Sequence, residues 1–286
     1  MRSSLVILLI LLLAACKQNQ SSDTPADQME ESQIMETEES LNMTAEEQAE
    51  QRMQSLKREQ LLIEADDREE LGEMLMARNF FKETDDFILD FRYPELNELI
   101  NPAYANFNNH ILHDYIDVMG TEAQILEDKA MFCDTIAADR LKEERKIDYK
   151  VYTTSDELLS VMFYKENYYV GAMHSTYMFD CFNYDLKENR FMAFTDFFRA
   201  DTEKDIVAIL NRRLKEGSET GDCWEITMTD FELYKNNFVM GDKMIEFYFD
   251  DCVICPSYTG TFSIEVPLDL LLEFMKQYNN DPAVGQ

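Results

Sequence analysis

Three histidines, six cysteines and several acidic clusters are the residues of this 286-residue chain whose types could carry chemistry. His174 stands in "YYVGAMHSTYMFDCFNYDLKENRF" (168–191), between a glycine and a run of aromatics. As a general base it would need a nucleophile or substrate within hydrogen-bond reach and an orienting carboxylate. Ser175, Asp180 and Asp185 lie near it in sequence. Structural use is the leading expectation for it, ahead of binding and then catalysis. His110 and His113 are three apart in a helical pattern and could present two imidazoles to one metal ion, with Asp114 or Asp117 as a further ligand. Ile111 and Tyr115 mark the buried face, however, and leave both histidines flanking it, so no metal site is expected. "CVIC" (252–255) has the CxxC spacing of redox and zinc motifs. No second CxxC exists, and Pro256 follows in place of a helix start that would lower the first thiol's pKa. Carboxylates in "DFFRADTEKD" (196–205) and "FDD" (249–251) could act on a glycoside as a pair, but the chain fixes no distance between them. A solvated face or a patch for a basic partner is expected there. No catalytic constellation emerges, and the chain is read as a non-enzyme without a cofactor.

Charge narrows the partners. The formal net charge is −31 and the pI near 4.3. That argues against nucleic acid, which is held by clusters of Lys and Arg, and equally against docking on anionic head groups. It permits a cationic partner, steered inward by the field most strongly at low salt. Residues 17–73 alone carry 17 acidic against 5 basic side chains.

The N-terminus places these residues in a cell. A basic start is followed by "LVILLILLLAA" (5–15) and then Cys16. An apolar run of about eleven residues is too short to span a bilayer, which takes roughly 20, and reads as a secretory signal. "LAAC" (13–16) resembles the bacterial lipobox, which implies cleavage before Cys16 and lipid on its thiol. Lys17, where an Asp would favour inner-membrane retention, favours the outer membrane. Residues 16–43 lack aromatics and apolar runs and are expected to form a disordered acidic tether. Residues 44–82 are rich in Glu, Gln, Ala, Leu and Met, open on a Thr44/Glu47 capping box, and are expected to form a helical stalk reaching about residue 78.

The rest must build the domain. "DFILDFRYPEL" (86–96) alternates Phe87, Leu89 and Phe91 with charged neighbours and reads as a half-buried strand stopping at Pro94. Tyr104, Phe107, Ile111, Tyr115 and Val118 mark an amphipathic helix with Pro102 in its first turn. The helical period repeats over 122–146, with a basic end. From 147 the period is two, giving strands at 147–155, 158–167, on both sides of His174, and at 190–198. Residues 202–217 read as a helix. Asn236–Asn237 and Gly241–Asp242 are turn signals in a pair of strands over 231–251. A last strand runs into a final helix. Hairpin-like links between strands predict an α+β fold with a mostly antiparallel sheet and packed helices, in two parts, 84–150 and 151–280. Cys223 paired with Cys252 or with Cys255 is the expected disulfide, since both regions flank the final strands. Such bonds suit the space outside the cytoplasm.

"VGAMH" (170–174) with "NYDLKENRFMAFTDFF" (183–198), and "FYFDDCVICPSYTGTFSIEVPLDLL" (247–271), resemble the RsiV-like extracytoplasmic domain family. The upstream "FRYPEL" (91–96) and its helix resemble the accompanying region, which is also found in the peptidoglycan deacetylase PdaC outside its catalytic domain. Asn189 replaces the family's usual turn Gly, Cys252 an aromatic and Cys255 an Ala. The resemblance implies a binding domain, with a lysozyme-like cationic protein or peptidoglycan as partner. His174, Tyr177, Asp185 and Tyr258 are the residues nominated for ligand contact. An envelope hydrolase using His174, and a scaffold without ligand, are the alternatives.

Overall fold

In strand β2 (Phe87–Leu96) Phe87, Leu89 and Phe91 are buried while Ile88, Asp90 and Arg92 face outward. This period of two also shapes β1 (Leu75–Glu83), β3 (Glu143–Ser155), β4 (Leu158–Tyr168), β5 (Thr176–Asp185) and β6 (Arg190–Met192). In the computed structural model the six strands form one sheet in chain order. All neighbours are antiparallel except β2 and β3. A parallel pair needs a crossover. It contains a short 3-10 turn (Pro102–Tyr104), α1 (Ala105–Asn109), a π-helical turn (His110–Ile116) and α2 (Val118–Met131). Phe107, Ile111, Ile116 and Ile125 of the crossover pack on Phe91, Ile147, Tyr149, Val161 and Phe163 of the sheet.

A second sheet of β7 (Phe238–Met240), β8 (Met244–Tyr248) and β9 (Ser263–Pro267) covers the other face. Its alternation is used twice. Val239 and Tyr248 meet Met162, Tyr164 and Phe179 of the large sheet. Phe238, Met240, Ile245 and Phe247 meet Ile206, Leu210 and Leu214 of α4 (Glu203–Gly217) and Phe231 of α5 (Met228–Tyr234). A short α3 (Phe194–Phe197) follows β6. The layers are thus helix, sheet, sheet, helix, an α+β architecture. Beyond residue 182, β5 is paired by β6, but its earlier backbone groups would form a bare edge. They are met from the second sheet. Cys181 N donates to Asn237 Oδ1 at 2.7 Å, Asn237 Nδ2 to Phe179 O at 2.8 Å, and Phe179 N to Asp250 Oδ1 at 2.9 Å.

The structure describes residues 71–131, 142–155, 157–170, 172, 175–217, 222–256, 259 and 262–276. All belong to one unit, 48–286. The signal, Cys16, the tether and the stalk up to residue 70 lie outside them, as do His174 and Tyr258. Several expectations need correction. The helix expected to reach about residue 78 is replaced at its end by a strand, Leu75–Glu83, because nine backbone pairs with β2 outweigh the modest helix preference of Leu, Met, Ala and Arg. β2 continues through Pro94, which is tolerated because the β3 ladder ends at Phe91 and leaves that side of β2 open. Residues 143–146 are not a helix end but the start of β3, paired on both sides with β2 and β4. The final helix is a 3-10 turn (Leu268–Leu270) and an irregular segment, held to α3 when Lys276 N donates to Phe197 O at 2.7 Å. Residues 228–234, ahead of the Asn236–Asn237 signal, form α5, started by a Thr227/Asp230 capping box. β3 also runs through the 150/151 boundary, so the large sheet spans both expected parts.

Candidate functional site

Period two puts Arg145 and Ile147 of β3, and Lys165 and Asn167 of β4, on the sheet face that carries the crossover helices. The register sets Arg145 opposite Asn167 and Ile147 opposite Lys165. Where α2 stands off this face, a cleft of about 380 Å³ opens, within the range of small-ligand sites. Phe91, Ile116, Ile125 and Ile147 form its apolar floor; Gly120, Thr121, Gln124 and Asp128 line its helix side; Arg145, Lys165, Asn167, Tyr169 and Tyr115 line its sheet side.

The cations are held in place. Arg145 is 8% exposed and pairs with the carboxylate of Glu143, itself buried. Its Nη1 donates to Tyr168 O at 2.8 Å and Glu144 O at 3.1 Å, and its guanidinium lies 4.2 Å from the Tyr169 ring centre. Lys165 Nζ is 3.0 Å from Asp180 Oδ2 and 4.1 Å from the Tyr115 ring centre. Tyr115 donates its hydroxyl to the same Asp180 oxygen at 3.0 Å. Burial, and then the Asp180 charge, push that hydroxyl well above the usual tyrosine range, so it stays a donor. On the helix side Gln124 Nε2 donates to Asp128 Oδ1 at 2.8 Å.

This wall offers N–H donors, an amide, two aromatic rings and an apolar floor, which suits holding a polar ligand. It pairs no nucleophile with a base. Among the described residues no three His, Cys, Asp or Glu side chains converge as a metal site would require. His110 Nδ1 is 2.9 Å from Asp114 Oδ2, and its ring packs edge-on to Phe191 at 4.5 Å. Asp117 accepts from Gly120 N at 3.0 Å and starts α2.

A second polar cluster lies between the sheets. Asp250 accepts from Phe179 N and, at 3.1 Å, from the Tyr234 hydroxyl. Burial raises the Asp250 carboxyl above its ordinary value against the pull of these two bonds. Burial, with Asp250 beside it, lifts Tyr234 to about 12. Cys181 is likewise pushed up by burial and by Asp180.

The nominated residues do not gather at the cleft. Tyr177 is on the opposite sheet face, where its ring centre is 5.9 Å from Tyr164 and 6.4 Å from Phe262. Asp185 is at the far end of β5, about 30 Å along the strand from Thr176; it accepts from Lys187 N and Glu188 N and shapes the turn to β6. The β4–β5 ladder ends at Asn167 and Thr176, and His174 lies outside the described residues. Of the two pairings left open, Cys223 is bonded to Cys255; Cys252 is exposed. Sequence reading passed over Arg145, Lys165, Asn167 and Tyr169. The available signal was a cation on each of two strands of a very acidic chain, but only the register shows that they meet.

No family model matches the chain. Over 147 residues, 50% of its length, it is 25% identical to the peptidoglycan-N-acetylmuramic acid deacetylase PdaC of Bacillus subtilis (strain 168). The chain spans about a third of that relative, 31% of its length. A solved DUF3298-family structure from Bacteroides fragilis NCTC 9343 is 16% identical, with a TM-score of 0.44 over 71% of this chain and 93% of that one. Another, from Pseudomonas aeruginosa PAO1, is 12% identical, with a TM-score of 0.49 over 71% and 93%.

Proposed function

We propose that the chain is an extracytoplasmic lipoprotein, anchored through lipid on Cys16 in the outer membrane, whose domain binds peptidoglycan glycan in the α2 cleft without cleaving it. The cleft carries this reading: rings, an amide and fixed N–H donors above an apolar floor match the alternating polar and apolar faces of a sugar. The PdaC likeness and the leader with its "LAAC" end support the location and the ligand class. Co-sedimentation of the intact chain, kept in detergent, with purified peptidoglycan tests it. The wild type is expected in the pellet, and Tyr169→Ala is expected to remain in the supernatant while keeping its circular dichroism. Equal pelleting of both, or none of either, would overturn the reading.

The net charge of −31 favours a second reading, a lysozyme-like cationic protein as partner. Its mark is binding that weakens steeply between low and physiological salt. Glycan binding carried by stacking and neutral hydrogen bonds would barely change.

A further inference from the structure

The charged wall narrows the ligand. Arg145 and Lys165 are diagonal neighbours on adjacent strands, with Asn167 directly across from Arg145. Among the described residues, Glu143 and two backbone carbonyls take three of the guanidinium's five donors. Asp180 takes one of the ammonium's three. The Asn167 amide has, among the described residues, a long 3.9 Å contact to Met178 Sδ. Donor capacity from three side chains therefore converges on one side of the cleft. The opposing carboxylate, Asp128, lies on the helix side and is engaged by Gln124. The hydroxyls of a neutral sugar could accept from these groups only as separate, uncharged acceptors, whereas a single oxyanion would take bonds from all three at once, each charge-assisted on the acceptor side.

Resting on the reading of this cleft as a glycan site, we propose that it selects a sugar bearing a carboxylate, and seats that carboxylate between Arg145, Asn167 and Lys165. The sugar ring then lies over Ile147 and against Tyr169, whose ring is already fixed by the guanidinium. Two sources share this chemistry: a carboxylate on the sugar's own ether side chain, and one on an attached peptide.

Binding of N-acetylmuramic acid, its methyl ester, N-acetylglucosamine and muramyl dipeptide to the intact chain, followed by ligand-observed NMR, tests the proposal. N-acetylmuramic acid is expected to bind at least tenfold more tightly than its ester or N-acetylglucosamine, and more weakly as salt rises. Muramyl dipeptide binding as tightly as the free acid would assign the carboxylate to the peptide; weaker binding would assign it to the sugar. Lys165→Gln is expected to remove most of the preference for acid over ester. Asn167→Leu, which leaves every ion pair in place, is expected to weaken the acid severalfold and guards against misfolding of the lysine variant. If the acid and its ester bind alike while Tyr169→Ala still abolishes pelleting with peptidoglycan, the carboxylate proposal is wrong and the glycan reading stands. If neither sugar nor peptidoglycan binds, both fall.

Discussion

Two cations side by side on neighbouring strands repel, and each is met by its own carboxylate, Glu143 for Arg145 and Asp180 for Lys165. Removing one member would leave the other charge partly buried and unmatched, a cost of several kcal/mol for well-buried pairs; variants at Asn167 are therefore cleaner probes. Asp250 shows the opposite balance. Its carboxyl is raised because burial outweighs its hydrogen bonds. The native state thus holds this proton more tightly than the unfolded chain, whose aspartates titrate near about 3.9. The stability Asp250 contributes is present below that pH and lost as pH rises through the raised native value. Asp250→Asn can still accept from Phe179 N and bond Tyr234. The variant's melting temperature, relative to wild type, is expected to be higher at pH 7 than at pH 3.5. The same offset at both pH values would show that Asp250 is not the titrating group.

At the scale of elements, the hinge between the π-helical turn and α2 rests on Asp117. Its backbone is left-handed, with φ 33°, and its N–H closes on Leu112 O at 3.2 Å. Its side chain caps α2 through Gly120 N, and a Cβ on Gly120 would sit 2.0 Å from Asp117 Oδ2. Glycine at 120 is thus required by the cap. Asn tolerates both the conformation and the capping role, whereas Ala suits neither. In denaturant titrations Asp117→Ala is expected to lose about 1–2 kcal/mol and Asp117→Asn only a few tenths. Equal losses would remove the cap from the argument. Since α2 is one side of the cleft, the alanine variant should also loosen ligand binding.

For the whole molecule, the link between the sheets and the outer helices is partly covalent. Cys223 and Cys255 are 32 residues apart and enclose α5, β7 and β8. Trp224 N donates to Ile254 O at 2.8 Å beside the bond. A disulfide closing a loop of this size stabilises by about 2–4 kcal/mol. Replacing both cysteines by alanine is expected to cost that amount, and adding reductant to the wild type should bring its unfolding midpoint to the same place. A reductant-insensitive midpoint would mean that the bond carries no stability. The acidic surface acts at this scale too, favouring solubility and attraction of cations.

The period of two over 87–91 and 147–167 was enough to predict the strands, and spacing of three and four to predict the crossover helix, because burying one face of an element imposes its repeat on the chain. Cys223 with a cysteine of the CVIC segment was legible for a similar reason, as few other partners flank the same strands. Strand β1, the run of β2 through Pro94 and the start of β3 at Glu143 were decided by pairing with distant segments, which local preference does not encode. The cleft belongs to that second kind. Arg145 and Lys165 are 20 positions apart in the sequence, and nothing in either neighbourhood marks them. They become one wall only when the β3–β4 register sets both on the face beneath α2.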